Sequence, residues 1–91
     1  MTVRFTARHM SGGSQHQHIA SLRWIEEGTT KESESTRETL VAWIRDKGGK
    51  GYVVDASGDK AWVHVVNATP PYLQTWKDGI WTDNLLALPT Y

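Results

Sequence analysis

Apolar and polar residues alternate in the opening stretch TVRFTARHM, where Val3, Phe5 and Ala7 interleave with Arg4, Thr6 and Arg8. A period of two is that of a strand with one dry and one wet face. SGGSQ then reads as a connection of small polar residues, and HIASLRWIE as a second strand with Ala20, Leu22 and Trp24 on one face. The pair predicts an antiparallel hairpin. EGTTKESES has no periodicity and reads as a loop. STRE follows as a capping box, in which Ser35 accepts from the backbone of Glu38 and Glu38 reaches back. From there the period changes. Leu40, Trp43, Ile44 and Lys47, flanked by Val41, recur at helical spacing and predict a helix that ends at Gly48-Gly49.

GYVVD and KAWVHVVN, joined through ASGD, predict a second hairpin with Ala61, Val63 and Val65 inward and Trp62 and His64 outward. YLQTWK and IWT surround Asp78-Gly79, a pair suited to a tight hairpin turn. DNLLALP closes the chain as a leucine-rich arm. The expected fold is α+β, in the order β-β-α-β-β-β. It is a single twisted antiparallel sheet of about five strands with one helix packed on one face. Residues 1–91 form one domain, with flexible loops at 10–17 and 27–34 and a C-terminal arm at 79–91.

Composition narrows the function. Ten basic and ten acidic residues cancel, whereas grip on a phosphate backbone calls for a basic excess, so nucleic acid is an unlikely partner. No cysteine is present, which removes disulfides and thiolate metal sites and suits a cytoplasmic protein. No apolar run is long enough to span a bilayer. Five tryptophans are many for a chain of 91 residues. Trp43 and Trp24 are expected in the core, leaving Trp62, Trp76 or Trp81 as the indole to reach the surface, where such a ring anchors a partner.

Candidate chemistry is sparse. His9, His16 and His18 lie close in sequence, and imidazoles two apart on an extended segment point the same way, so these three are the weak candidates for a metal. Asp78 is read as a turn former and Asp83 as a cap. The start of the helix, with Arg37, is a candidate anion cradle already occupied by Glu34 and Glu38. No nucleophile elbow, phosphate loop or dinucleotide fingerprint occurs. The chain is expected to be no enzyme and to need no cofactor.

HIASLRW, STRETLVAWI, GYVVD and above all PYLQTWKDGIWTDNLLALP resemble the small bacterial and phage family catalogued as domain of unknown function 3892. The resemblance runs from about His18 to Pro89, and DGIWTDNLLALP matches at consecutive positions. It implies a compact stand-alone domain and transfers no activity. Packing accounts for much of that motif: Asp78-Gly79 sets a turn, Trp81 and the leucines fill the core, and Asp83 and Asn84 bond backbone. Thr82, Asp83 and Asn84 are the residual candidates for ligand contact. The leading expectation is a non-catalytic binding domain acting by protein–protein contact, such as an inhibitor or adaptor of a host complex, with a homodimer through an edge strand as one form. The alternative is a small-ligand, nucleotide-like site where Trp81, Asp83, Asn84 and Arg37 converge. A metal-dependent activity through the histidines comes third.

Overall fold

A computed structural model describes residues 1–91. Seven strands form one sheet: β1 (Thr2–Met10), β2 (Ile19–Glu26), β3 (Glu32–Thr36), β4 (Lys50–Val54), β5 (Lys60–Val66), β6 (Tyr72–Lys77) and β7 (Ile80–Thr82). The single helix, α1 (Arg37–Lys47), lies between β3 and β4 in the chain. The fold is α+β as expected, with two more strands than the sequence pattern suggested. Strand order is β3-β2-β1-β4-β5-β6-β7. Neighbours are antiparallel except β1 and β4, which run parallel. A parallel pair needs a crossover, and the segment β2-β3-α1 supplies it, so the sheet is mixed rather than purely antiparallel.

The first added strand is β3, which had read as loop. Its sequence ESEST does alternate, with small serines half-buried and Glu32 and Glu34 exposed. An edge strand guarded by carboxylates resists pairing with another chain. The strand also moves the helix cap. Ser35 lies opposite Leu22 in the ladder, and its Oγ accepts from Trp24 Nε1–H at 3.0 Å. Thr36 caps instead, its Oγ1 accepting from Thr39 N–H at 3.3 Å. Glu38 pairs with Arg37 at 2.9 Å, so the expected Ser35–Glu38 capping box does not form.

Alternation in β1 breaks at Thr6. The register with β2 shifts between Phe5 and Ala7, which places Ala7 opposite Arg23 and Arg8 opposite Leu22. Ala7 therefore leaves the face it was expected to share with Val3 and Phe5, as a bulge requires. The C-terminal arm closes against the same stretch. Arg8 N–H donates to Pro89 C=O at 2.9 Å and Tyr91 N–H donates to Arg8 C=O at 3.0 Å. The Arg23 guanidinium sits 4.3 Å from the centre of the Tyr91 ring. No helix is long and apolar enough to cross a membrane.

The core lies between α1 and one face of the sheet. Val3, Phe5, Leu22, Val53, Val63 and Leu73 from the strands meet Leu40 and Val41 from α1 and Leu85 from the arm. Trp24, Trp43 and Ile44 pack against this cluster but remain half-buried, which corrects the expectation that both indoles would be fully enclosed. Gly51 is required by close approach: a Cβ there would lie 2.3 Å from Phe5 Cε2. Gly51→Ala is expected to destabilise the fold by about 1–3 kcal/mol through overpacking, read as a lower urea midpoint at unchanged slope.

Candidate functional site

β4 to β7 continue the alternation on both faces in one register. Facing the helix, Val63 stands opposite Thr75, and Thr75 opposite Thr82. On the other face Tyr52 stands opposite Trp62, Trp62 opposite Trp76, and Trp76 opposite Trp81. Four aromatic residues from four strands thus form one transverse row. α1 covers only the inner face, so the three indoles meet solvent while Tyr52 beside them is buried: Trp62 is 37 %, Trp76 38 % and Trp81 41 % exposed. All three indoles named as surface candidates lie in it, side by side. Trp81 does not fill the core, contrary to the packing account of its motif, because Thr82 is the residue of β7 that faces inward.

The rings touch at edges. Tyr52 and Trp62 have centroids 5.4 Å apart at 64°, and Trp76 and Trp81 4.8 Å apart at 84°. Such T-shaped contacts place the positive ring edge on the negative ring face. His64 approaches Trp81 at 6.5 Å and 82°. Lys60 Nζ hovers 4.6 Å from the Tyr52 ring and 5.8 Å from that of Trp62. A groove of about 720 Å³ adjoins Trp62 and Trp76 at the middle of the row, bordered by Ile44, Lys50, Lys60, His64, Lys77 and Asp78.

Two of the cations beside the row already have partners, whereas Lys50, and Arg4 opposite Tyr52, form no ion pair. Lys60 binds Glu27 at 3.1 Å, and Glu27 also accepts from Tyr52 Oη–H at 2.8 Å. Those two bonds, Tyr52 first, hold the Glu27 carboxyl below its ordinary range, while burial and then Glu27 push the Tyr52 phenol up. Lys77 binds Asp55 at 2.6 Å and Asp59 at 3.4 Å. Asp55 also receives the N–H groups of Ser57 and Asp59, which folds the β4–β5 turn. Lys77, then these backbone bonds, keep Asp55 below the usual carboxylate range.

Thr82, Asp83 and Asn84 behave differently from the indoles. The Thr75 and Thr82 hydroxyls are 2.6 Å apart, Asn84 Nδ2 donates to Thr82 Oγ1 at 3.1 Å, and Asn84 N–H donates to Thr75 Oγ1 at 3.3 Å. Thr82 and Asn84 therefore help to pin β7 and the following 3₁₀ turn to β6, and the Asn84 side chain bonds a hydroxyl instead of the backbone expected of it. Asp83 makes no capping bond, and its side chain is 82 % exposed. Arg37 lies elsewhere, donating to Gln17 C=O at 2.8 Å. None of the four surface depressions is lined by Trp81, Asp83 or Asn84, so the four-residue ligand pocket considered from the sequence does not assemble.

The histidines do not assemble either. His16–His18 form a single 3₁₀ turn, in which side chains two apart diverge, unlike those on an extended segment. His9 Nδ1 lies 2.7 Å from Tyr91 O, and His18 Nδ1 accepts from Gln15 N–H at 3.2 Å. No group of three or more His, Asp or Glu side chains gathers to hold a metal. His16 is buried, its Nε2 without a hydrogen-bond partner and 3.8 Å from Asp83 Oδ1.

Tyr52 and Lys60 join the surface without having been singled out from the sequence. Counting outward from the ASGD turn pairs Tyr52 with Trp62, which was the available signal.

A family model described as "Protein of unknown function (DUF3892)" matches residues 3–89, in line with the motif resemblance. No curated protein and no solved structure matches the chain.

Burial lowers the His16 pKa below its ordinary 6.5, and Asp83 raises it in part. The unfolded chain thus takes up this proton at higher pH than the folded one, so the stabilisation is complete above about pH 6.5 and is lost as pH falls below it. The thermal midpoint should drop between about pH 7 and pH 5, less in His16→Asn and more in Asp83→Asn. An unchanged pH slope in His16→Asn would contradict this.

Proposed function

The chain belongs to the DUF3892 family, and we propose that this member is a non-catalytic binding domain that docks a protein partner on its open aromatic face. One observation carries the reading: Trp62, Trp76 and Trp81 are exposed together in one cross-strand row. Exposed tryptophan is costly to keep in water unless something covers it, and indoles dominate the few residues that carry binding energy at interfaces. The row is held stiffly by its strands and ring contacts, so little side-chain entropy is lost on docking.

Two features favour protein over nucleic acid. Lys60 and Lys77 are neutralised by Glu27, Asp55 and Asp59, which leaves Lys50 and Arg4 as the unpaired cations there, whereas affinity for phosphates comes from many cations free to displace counterions. Trp76 and Trp81 meet at 84°, so neighbouring bases would find no parallel platform on which to stack. An inhibitor or adaptor of a host complex would act through this face.

A second reading is favoured by the β7 edge. Ile80 is 66 % exposed and β7 carries no charge, in contrast to β3 with its two glutamates. Pairing of two β7 strands would extend both aromatic rows into one, giving a homodimer.

Affinity capture from lysate of the native host distinguishes these readings when wild type and Trp62→Ala/Trp76→Ala/Trp81→Ala are run side by side. A protein held by wild type should be released by the variant, each indole contributing about tenfold or more in affinity. Capture of only a second copy of the chain would favour the homodimer. Equal capture by wild type and variant of the same protein would refute the proposed face.

A further inference from the structure

The opposite side of the sheet holds a feature that the aromatic row does not explain. A depression of about 470 Å³ lies between α1 and the β1–β2 hairpin, within the range of small-molecule sites. Its walls are apolar: Val3, Leu40 and the exposed sides of Trp24 and Trp43. This is where both indoles remain half-buried.

The polar groups that border it can all donate. Ser35 Oγ already accepts from Trp24 Nε1–H, so its own proton is free to donate. Thr39 Oγ1 accepts from Thr36 Oγ1–H at 3.0 Å and is left in the same state. Lys47 forms no ion pair, and no carboxylate lines the depression. Its charged groups are therefore cations only, Lys47 and the Met1 amino group, neither of them in an ion pair. Thr39 and Lys47 are eight positions apart on α1, about 12 Å along its axis, with the apolar wall between them.

We propose that this depression binds a small amphiphile with an apolar body and one carboxylate. The chain lies against Trp24, Leu40 and Trp43, and the carboxylate pairs with Lys47. Charge complementarity decides the head group: an ammonium would meet Lys47 as a like charge and find no carboxylate to balance it. Apolar area decides the body, since each methylene removed from water contributes about 0.8 kcal/mol. The site is independent of the outer row, so the two can fail separately.

The test is a titration with decanoate, and with 1-decanol as the neutral counterpart, below the concentration at which either self-associates. The Trp62→Ala/Trp76→Ala/Trp81→Ala protein leaves Trp24 and Trp43 as the only indoles, so its fluorescence reports on this depression. Decanoate should give a saturable change and raise the thermal midpoint of wild type and variant alike. Affinity should fall at least tenfold for 1-decanol and in Lys47→Glu. Ala42→Phe, which fills the depression from its wall, should abolish binding. Lys47→Glu, at an exposed position in the last helical turn, remains decisive should Ala42→Phe not fold. Absence of a saturable change, or equal affinity of decanoate for wild type and Lys47→Glu, would overturn the proposal.

Discussion

The hydroxyl contact between Thr75 and Thr82 is the point on which the rest of the molecule turns. Thr75 is fully buried, so its Oγ1 needs a partner, and Thr82 of the next strand and Asn84 of the turn that follows supply it. A slip of one residue between β6 and β7 would leave those polar groups unpaired in an apolar layer, at about 1–3 kcal/mol each. The same slip would turn Trp81 into the core and Thr82 out to solvent, because side chains change face at every residue of a strand. The buried polar contact and the exposed indole are two sides of one register. The TDN triplet reads as ligand chemistry in sequence, yet two of its residues act by holding β7 in place.

The parallel pairing of β1 and β4 decides which face is left open. The chain must cross the sheet between those strands, and α1 makes the crossing on the side where Val3, Phe5 and Val53 already point. One helix covers one face. The other face of β4 to β7 is clad only by its own side chains, and large rings serve that purpose while keeping contact with one another. The C-terminal arm performs a related task at β1, where it bonds Arg8 beyond the end of β4. Its Leu85 enters the core and Tyr91 packs under Arg23.

Much of this was legible wherever local pattern and final environment agree. Alternation in KAWVHVV turned Trp62 and His64 outward, and Asp78-Gly79 formed the expected turn, with φ of 53° and 82°. The α1 stripe placed Leu40 and Val41 in the core and ended at Gly48. The misses share a cause: each depended on a neighbour distant in sequence. ESEST has no apolar residue to announce a strand, and only the free edge of β2 makes it one. Ser35 looked like the cap because nothing local shows Trp24 Nε1 claiming its hydroxyl. The bulge at Thr6 and the parallel pair follow from packing between strands rather than from any run of residues. His16 and His18 were read on an extended segment, and the 3₁₀ turn separates them. Tyr52 and Lys60 were within reach of a register count, and they complete the row that the three tryptophans begin.

The central claim is that β5, β6 and β7 hold Trp62, Trp76 and Trp81 in register on the open face. It is tested most directly by far-UV circular dichroism, since two indoles 4.8 Å apart at 84° must couple as an exciton pair. The account predicts a couplet in the wild-type spectrum that disappears equally in Trp76→Phe and in Trp81→Phe and persists in Trp24→Phe and Trp43→Phe. A spectrum without a couplet, or one that survives the loss of Trp81, would contradict it.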